Sequence, residues 1–282
     1  MRIVMDDTGD IPMELIEKYN IRIIPINIMF GTEQFLSGVE MDHAAFYEKT
    51  KTVTAHNFPK TSQPTPYQFI EIYKEIFATG ETEILTITVS EKLSGTYASV
   101  VQARKELEGE GTIHLFDSQA GAAAQGYIAL QAARMAHEGA DINTILPVLE
   151  KLRESMSVVF TIDSLEYAVK GGRVSSMKSL MASLLNIKPI LRLNDGLIVE
   201  AGRVRTRKRA LDHIVDVIYQ DMGDQPIQLV VIHANAPEDA ATLQEKARAK
   251  LNIAEELFTD ISIPVAINLG PGALGLIAFP AE

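Results

Sequence analysis

The chain is predicted to be α/β, with an N-terminal, mainly parallel sheet flanked by helices and a C-terminal α+β domain whose sheet is mixed or antiparallel. Three observations predict this. Strand-length apolar runs alternate with helical patterns through the first half. A hairpin signature then breaks that alternation around Asn194. The length of 282 residues also exceeds what one ordinary core fills, which points to two domains.

The first strand is RIVMD from Arg2, followed by IRIIPINIMF from Ile21 to Phe30. After a polar segment between Thr50 and Pro66, apolar residues at 69, 70, 73, 76 and 77 have the spacing of an amphipathic helix. EILTITVS leads through EKLSGT into YASVVQARKEL, and IHLFDS leads into an alanine-rich helix. Repeated strand-loop-helix units of this kind close most easily as a parallel sheet. DINTILPVLEKLRES is a helix with Asp141 as N-cap, and Pro147 inside it is expected to kink it or shift its start. The domains are placed at 1–153 and 154–282. In the second, SVVFTID is a strand, SLEYAVKGGR a helix ended by its glycines, and SSMKSLMASLL an apolar helix. IKPILRL and LIVEAGRV form a hairpin about Asn194, Asp195 and Gly196. QLVVIHA, PVAINLG and LGLIAFP are read as further strands around two long helices.

Composition removes several function classes. Lys and Arg number 26 against 37 Asp and Glu, a net charge of −11 that repels a phosphate backbone, so nucleic-acid binding is not expected. Without cysteine there is no disulfide, thiolate metal site or cysteine nucleophile. The six histidines form no HExxH or HxH pattern, and no metal or cofactor is assigned. No signal peptide or bilayer-length apolar run is legible, so a cytoplasmic location is expected, with membrane contact at most transient. GxSxG, GxGxxG after a strand and GxxxxGK[ST] are absent, and no catalytic constellation is legible.

Five local clusters remain. Ser94, Gly95 and Thr96 stand where a strand turns into a helix, a place where hydroxyls and unsatisfied N–H groups can hold an anion, or where a hydroxyl simply caps its own helix. Thr61 and Ser62 in KTSQPTP precede another helix and have the same two readings. DDTGD, TSQP, SGT and DSQAG would converge at the carboxyl edge of a parallel sheet. LEYAVKGGRVS carries Arg173 beside a glycine pair that also serves as a helix terminus. GRVRTRKRA, with Arg203, Arg205 and Arg207, is the one dense basic stretch, either a partner surface or a solvated hairpin edge. INLGPGALG places Asn268 before a tight turn.

In order, DDTGDIP, TSQPTP, SGTYAS, FDSQAG, EYAVKGGRVS, IKPIL, RVRTRKRA and GPGALG resemble the motif series of the DegV family over Arg2 to Pro280. The resemblance implies a bacterial carrier, not an enzyme, that binds a long-chain fatty acid with the carboxylate at the domain junction and the acyl chain buried. It further implies presentation to a fatty-acid kinase that forms an acyl phosphate for phospholipid synthesis. Carried over, Thr61, Ser62, Ser94, Gly95 and Thr96 match the head-group donors. Arg173, Arg203, Arg205 and Arg207 match the pocket mouth or kinase-facing region. Asn268 stands where many members have histidine, and an amide donates a hydrogen bond without carrying charge. An enzyme on a related scaffold, acting on a small phosphorylated or carbonyl substrate, is the alternative, since the same cradle suits a phosphate.

Overall fold

β1 (Arg2–Asp6) is the second strand of a four-stranded sheet ordered β2-β1-β6-β7, completed by β2 (Arg22–Ile24), β6 (Glu83–Thr88) and β7 (Thr112–Asp117). Every pairing in it is parallel. The computed structural model describes residues 1–174 and 187–281, in two compact units, Met1–Arg153 and Glu154–Glu282. The helix expected over SSMKSLMASLL lies outside the described residues.

Unit 1 has helices on the parallel sheet because its crossovers alternate with the strands. After α1 (Met13–Lys18), the run IRIIPINIMF does not form one strand. Pro25 has no N–H to place in a ladder and divides it, so β2 joins the parallel sheet while β3 (Asn27–Phe30) enters a second one. There β3 pairs antiparallel with β4 (Glu33–Leu36) and with β5 (Pro59–Ser62), around α2 (His43–Thr50). This small sheet was not foreseen, and it turns the polar segment carrying Thr61 and Ser62 from a loop into a strand.

α3 (Pro66–Ala78) starts at a capping box in which Thr65 and Gln68 satisfy each other's backbone N–H, with proline in the first turn. Its Phe69 and Tyr73 are buried against Ile84, Val100 and Ile113, each worth roughly 1.5–3 kcal/mol of transfer free energy. α4 (Thr96–Glu106), α5 (Ala122–His137) and α6 (Ile142–Ser155) complete the unit. Asp141 accepts from Thr144 N at 2.9 Å, and α6 runs from Ile142 to Ser155 with Pro147 inside it.

Unit 2 is a six-stranded mixed sheet ordered β10-β9-β8-β13-β11-β12. β8 (Ser157–Thr161) is followed by α7 (Leu165–Gly171), then by the hairpin of β9 (Lys188–Asn194) and β10 (Leu197–Val204). Asp195 and Gly196 take φ of 48° and 71°, the geometry of a type I′ hairpin turn. α8 (Arg207–Met222) buries Leu211, Ile214, Val215 and Ile218 in the core. β11 (Ile227–His233), α9 (Pro237–Lys250) and β12 (Ile253–Asp260) form a parallel crossover.

PVAINLG, read as a strand, is instead α10 (Ile263–Leu269), before β13 (Leu274–Pro280). Proline in the first helical turn and Gly270 at the end make that short apolar run a helix. β12 was not read as a strand because Glu255 and Glu256 interrupt its apolar pattern; as an edge strand it tolerates them. Among the described residues no helix is long and apolar enough to cross a membrane.

Candidate ligand-binding site

The carboxyl ends of β1, β6 and β7 lie side by side in unit 1, and their loops are tied together by buried Asp6 and half-buried Asp117. Asp6, fully buried, accepts from Thr8 N at 3.1 Å and Val89 N at 2.8 Å, and also from the Thr8 hydroxyl. Gln125, inside α5, stands 2.7 Å from that hydroxyl and donates to the Ile87 carbonyl at 3.3 Å. Burial pushes the Asp6 carboxyl up, and these hydrogen bonds oppose it. Asp117 accepts from Gln119 N at 3.0 Å and Glu91 N at 3.2 Å, and burial raises it as well. The acids of DDTGD and DSQAG thus brace the loop after β6, so these motifs converge as framework. The sequence signal for Gln125 was an amide in the alanine-rich first turn of α5; its partners were not readable.

The braced loop runs from Val89 to Gly95. Ser90 N donates to the Ala120 carbonyl at 2.7 Å, and Leu93 N and Ser94 N donate back to the Ser90 carbonyl at 2.9 and 3.0 Å. Ser94 N–H is therefore occupied, and Ser94 offers its hydroxyl, 2.9 Å from that of Thr96. Ser94 Oγ also accepts from Thr96 N at 3.4 Å, so part of the capping reading is realised. Thr96 is fully buried, whereas Ser94 is half-buried. Gly95 is the N-cap of α4 and supplies no side chain, so the first turn keeps its positive end and, beyond Thr96 N, its N–H groups for another acceptor.

β5 faces this loop through the residue that follows it. A Cβ built on Gly95 would lie 2.7 Å from Gln63 Nε2 and 3.1 Å from Gln63 Cδ, so TSQP and SGT meet. In β5, Thr61 pairs with Ile28 and Ser62 with Asn27. Consecutive strand residues project to opposite faces, so the two hydroxyls leave the ribbon in opposite directions.

In unit 2, Asn268 donates through Nδ2 to the Pro264 carbonyl at 2.8 Å, and its Oδ1 lies against Gly171. Arg173 donates to the Gly171 carbonyl at 2.5 Å, at the end of α7. Arg203 pairs with Glu200 along β10. Arg207 is not on a solvated edge: with its side chain 19 % exposed, it binds Asp239 at 2.8 Å, Asp163 at 3.4 Å and the Gly272 carbonyl at 2.6 Å. Arg205 is exposed and has no ion pair among the described residues.

A model of the family described as "Uncharacterised protein, DegV family" matches residues 1–281. The chain belongs to the DegV family. It is 33 % identical over 277 residues to Protein DegV of Bacillus subtilis, covering 97 % of both chains. It is 31 % identical over 286 residues to a DegV domain-containing protein of Clostridium perfringens, covering 100 % of this chain and 99 % of that one. Among solved structures, a fatty-acid-binding DegV family protein from Thermus thermophilus superimposes with a TM-score of 0.91 at 29 % identity, covering both chains fully. DegV of Bacillus subtilis, described as a fatty acid binding protein, superimposes with a TM-score of 0.86 at 31 % identity and 99 % coverage of each.

Proposed function

We propose that this DegV protein binds a long-chain fatty acid and presents it, in the cytoplasm, to a separate fatty-acid kinase that converts it to an acyl phosphate. The observation that carries the binding reading is the first turn of α4, whose N-cap Gly95 has no side chain, with the Ser94 hydroxyl beside it and the segment after β5 against it. A carboxylate removed from water without donors is costly, and hydroxyls with helix-end amides are what it requires. Full-length similarity to proteins described as fatty-acid-binding supplies the tail, each buried methylene of which contributes about 0.8 kcal/mol.

In this reading Ser94, Gly95, Thr96 and Thr61 form the head-group cradle in unit 1. Ser62, Asn268, and Arg173, Arg203 and Arg207 near the mouth rest on the family resemblance. Arg205 is the cation best suited to an acidic partner. The test is mass spectrometry of an organic extract of the purified chain, followed by titration of the stripped protein with oleate or palmitate. Retained fatty acid, and weaker uptake by Ser94→Ala, are expected. A chain that emerges lipid-free and takes up neither acid refutes the reading.

A further inference from the structure

Gln63 belongs to none of the head-group positions above, yet its side chain reaches the place where the cradle opens. It follows Ser62 at the end of β5, its backbone carbonyl accepts from Asn27 Nδ2 at 3.2 Å, and its carboxamide has no hydrogen-bond partner among the described residues. The amide nitrogen is the Gln63 atom nearest the Cβ position of Gly95, 2.7 Å against 3.5 Å for Oε1. Gly95 has φ −78° and ψ 8°, which any residue adopts, so backbone conformation does not require glycine there. A Cβ there would have to displace the Gln63 amide, the far end of an exposed side chain, from its place beside Gly95.

We infer that Gln63 is a head-group residue: its carboxamide lies over Gly95 and donates an N–H to an anion held at the first turn of α4. This rests on the carboxylate reading of the site. A carboxamide has two N–H donors and carries no charge, so it completes an anion's hydrogen bonds without holding a second charge in the site. It also gives Gly95 a recognisable role, since a methyl group there pushes the amide off its seat while leaving every hydroxyl in place.

Isothermal titration with oleate, and with oleyl alcohol, which has the same chain and no carboxylate, tests this. Hydrogen bonds to charged groups are strong enough that Gln63→Ala is expected to weaken oleate about tenfold or more, with oleyl alcohol and the melting temperature unchanged. Gln63→Glu, which sets one carboxylate against another, is expected to lose more oleate affinity than Gln63→Ala. Gly95→Ala is expected to reproduce the Gln63→Ala loss alone and to add nothing to it in the double variant, because both act through one contact. Oleate bound at wild-type strength by Gln63→Ala, equal losses for oleate and oleyl alcohol, or losses that multiply in the double variant would each overturn the assignment. An unaltered chain that binds no oleate overturns the fatty-acid reading and this inference together, so the two failures are distinguishable.

Discussion

Val89 N donates to Asp6 Oδ2 across 2.8 Å and joins the end of β1 to the loop that leaves β6. Thr8 N binds the other oxygen of the same carboxyl, so one buried side chain satisfies backbone donors from two neighbouring loops. Asp6→Ala strands both N–H groups away from water. A loss of about 2–5 kcal/mol in unit 1 is expected by urea denaturation, since each orphaned buried donor costs roughly 1–3 kcal/mol. Oleate affinity should fall with it, because the Ser94 loop loses its brace.

Asp7 makes stability depend on pH. Its Oδ2 is sealed from solvent with no hydrogen-bond partner, and burial, assisted by neighbouring Asp6 and opposed by a hydrogen bond with Ser37, raises the carboxyl to about 7 from 3.8. Folded chains then keep a proton that unfolded chains release, so this group's contribution is fully present below pH 4 and is lost as pH rises through 7. The span is on the order of 3–4 kcal/mol. Asp7→Asn should flatten the dependence and gain stability at pH 8 relative to wild type, as measured by urea midpoints at pH 5 and pH 8. A wild-type midpoint equal at both values would contradict the assignment.

Arg205 and Arg207 are two residues apart and are expected to behave oppositely. Arg207→Ala leaves Asp163, Asp239 and the Gly272 carbonyl without their shared donor. A loss of about 1–3 kcal/mol in unit 2 is expected in thermal unfolding. Arg205→Glu should leave the melting temperature unchanged and slow association with a fatty-acid kinase, most strongly at low salt, in surface plasmon resonance.

Gly171 and Asn268 hold α7 against α10. A Cβ on Gly171 would stand 2.5 Å from Asn268 Oδ1 and 3.2 Å from Asn268 Cα, and rotating the amide relieves only the first contact. Gly171→Ala should therefore separate the helices and cost about 1–3 kcal/mol. Gly172→Ala, which meets nothing within 4 Å, should cost less packing and show only its positive-φ strain. Calorimetry of both variants separates the two effects.

Periodicity carried α3, the β9–β10 hairpin and the parallel order of unit 1, because each is written in local spacing: Phe69, Tyr73 and Ile76 on one helix face, Asp195 and Gly196 in one turn. It failed at PVAINLG and at the small β4-β3-β5 sheet. A short apolar run has no period long enough to distinguish helix from strand, and polar Lys60, Thr61 and Ser62 join a ladder only because β3 lies beside them. Within the site, Ser94, Gly95 and Thr96 were legible as a strand-to-helix turn. Gln63, Gln125 and the committed guanidinium of Arg207 were not, since each is defined by a neighbour 30 or more positions away.

By itself the sequence determined the fold class, the acidic character that disfavours nucleic acid, the absence of thiol chemistry and, through eight ordered motifs, the family. These depend on composition and on contacts between near neighbours in the chain. Only the tertiary structure decided that Asp6 braces the loop after β6, that Thr61 and Ser62 diverge, and that the Gln63 amide lies beside Gly95. Those outcomes depend on which distant backbone a side chain meets, and sequence spacing carries no information about that distance.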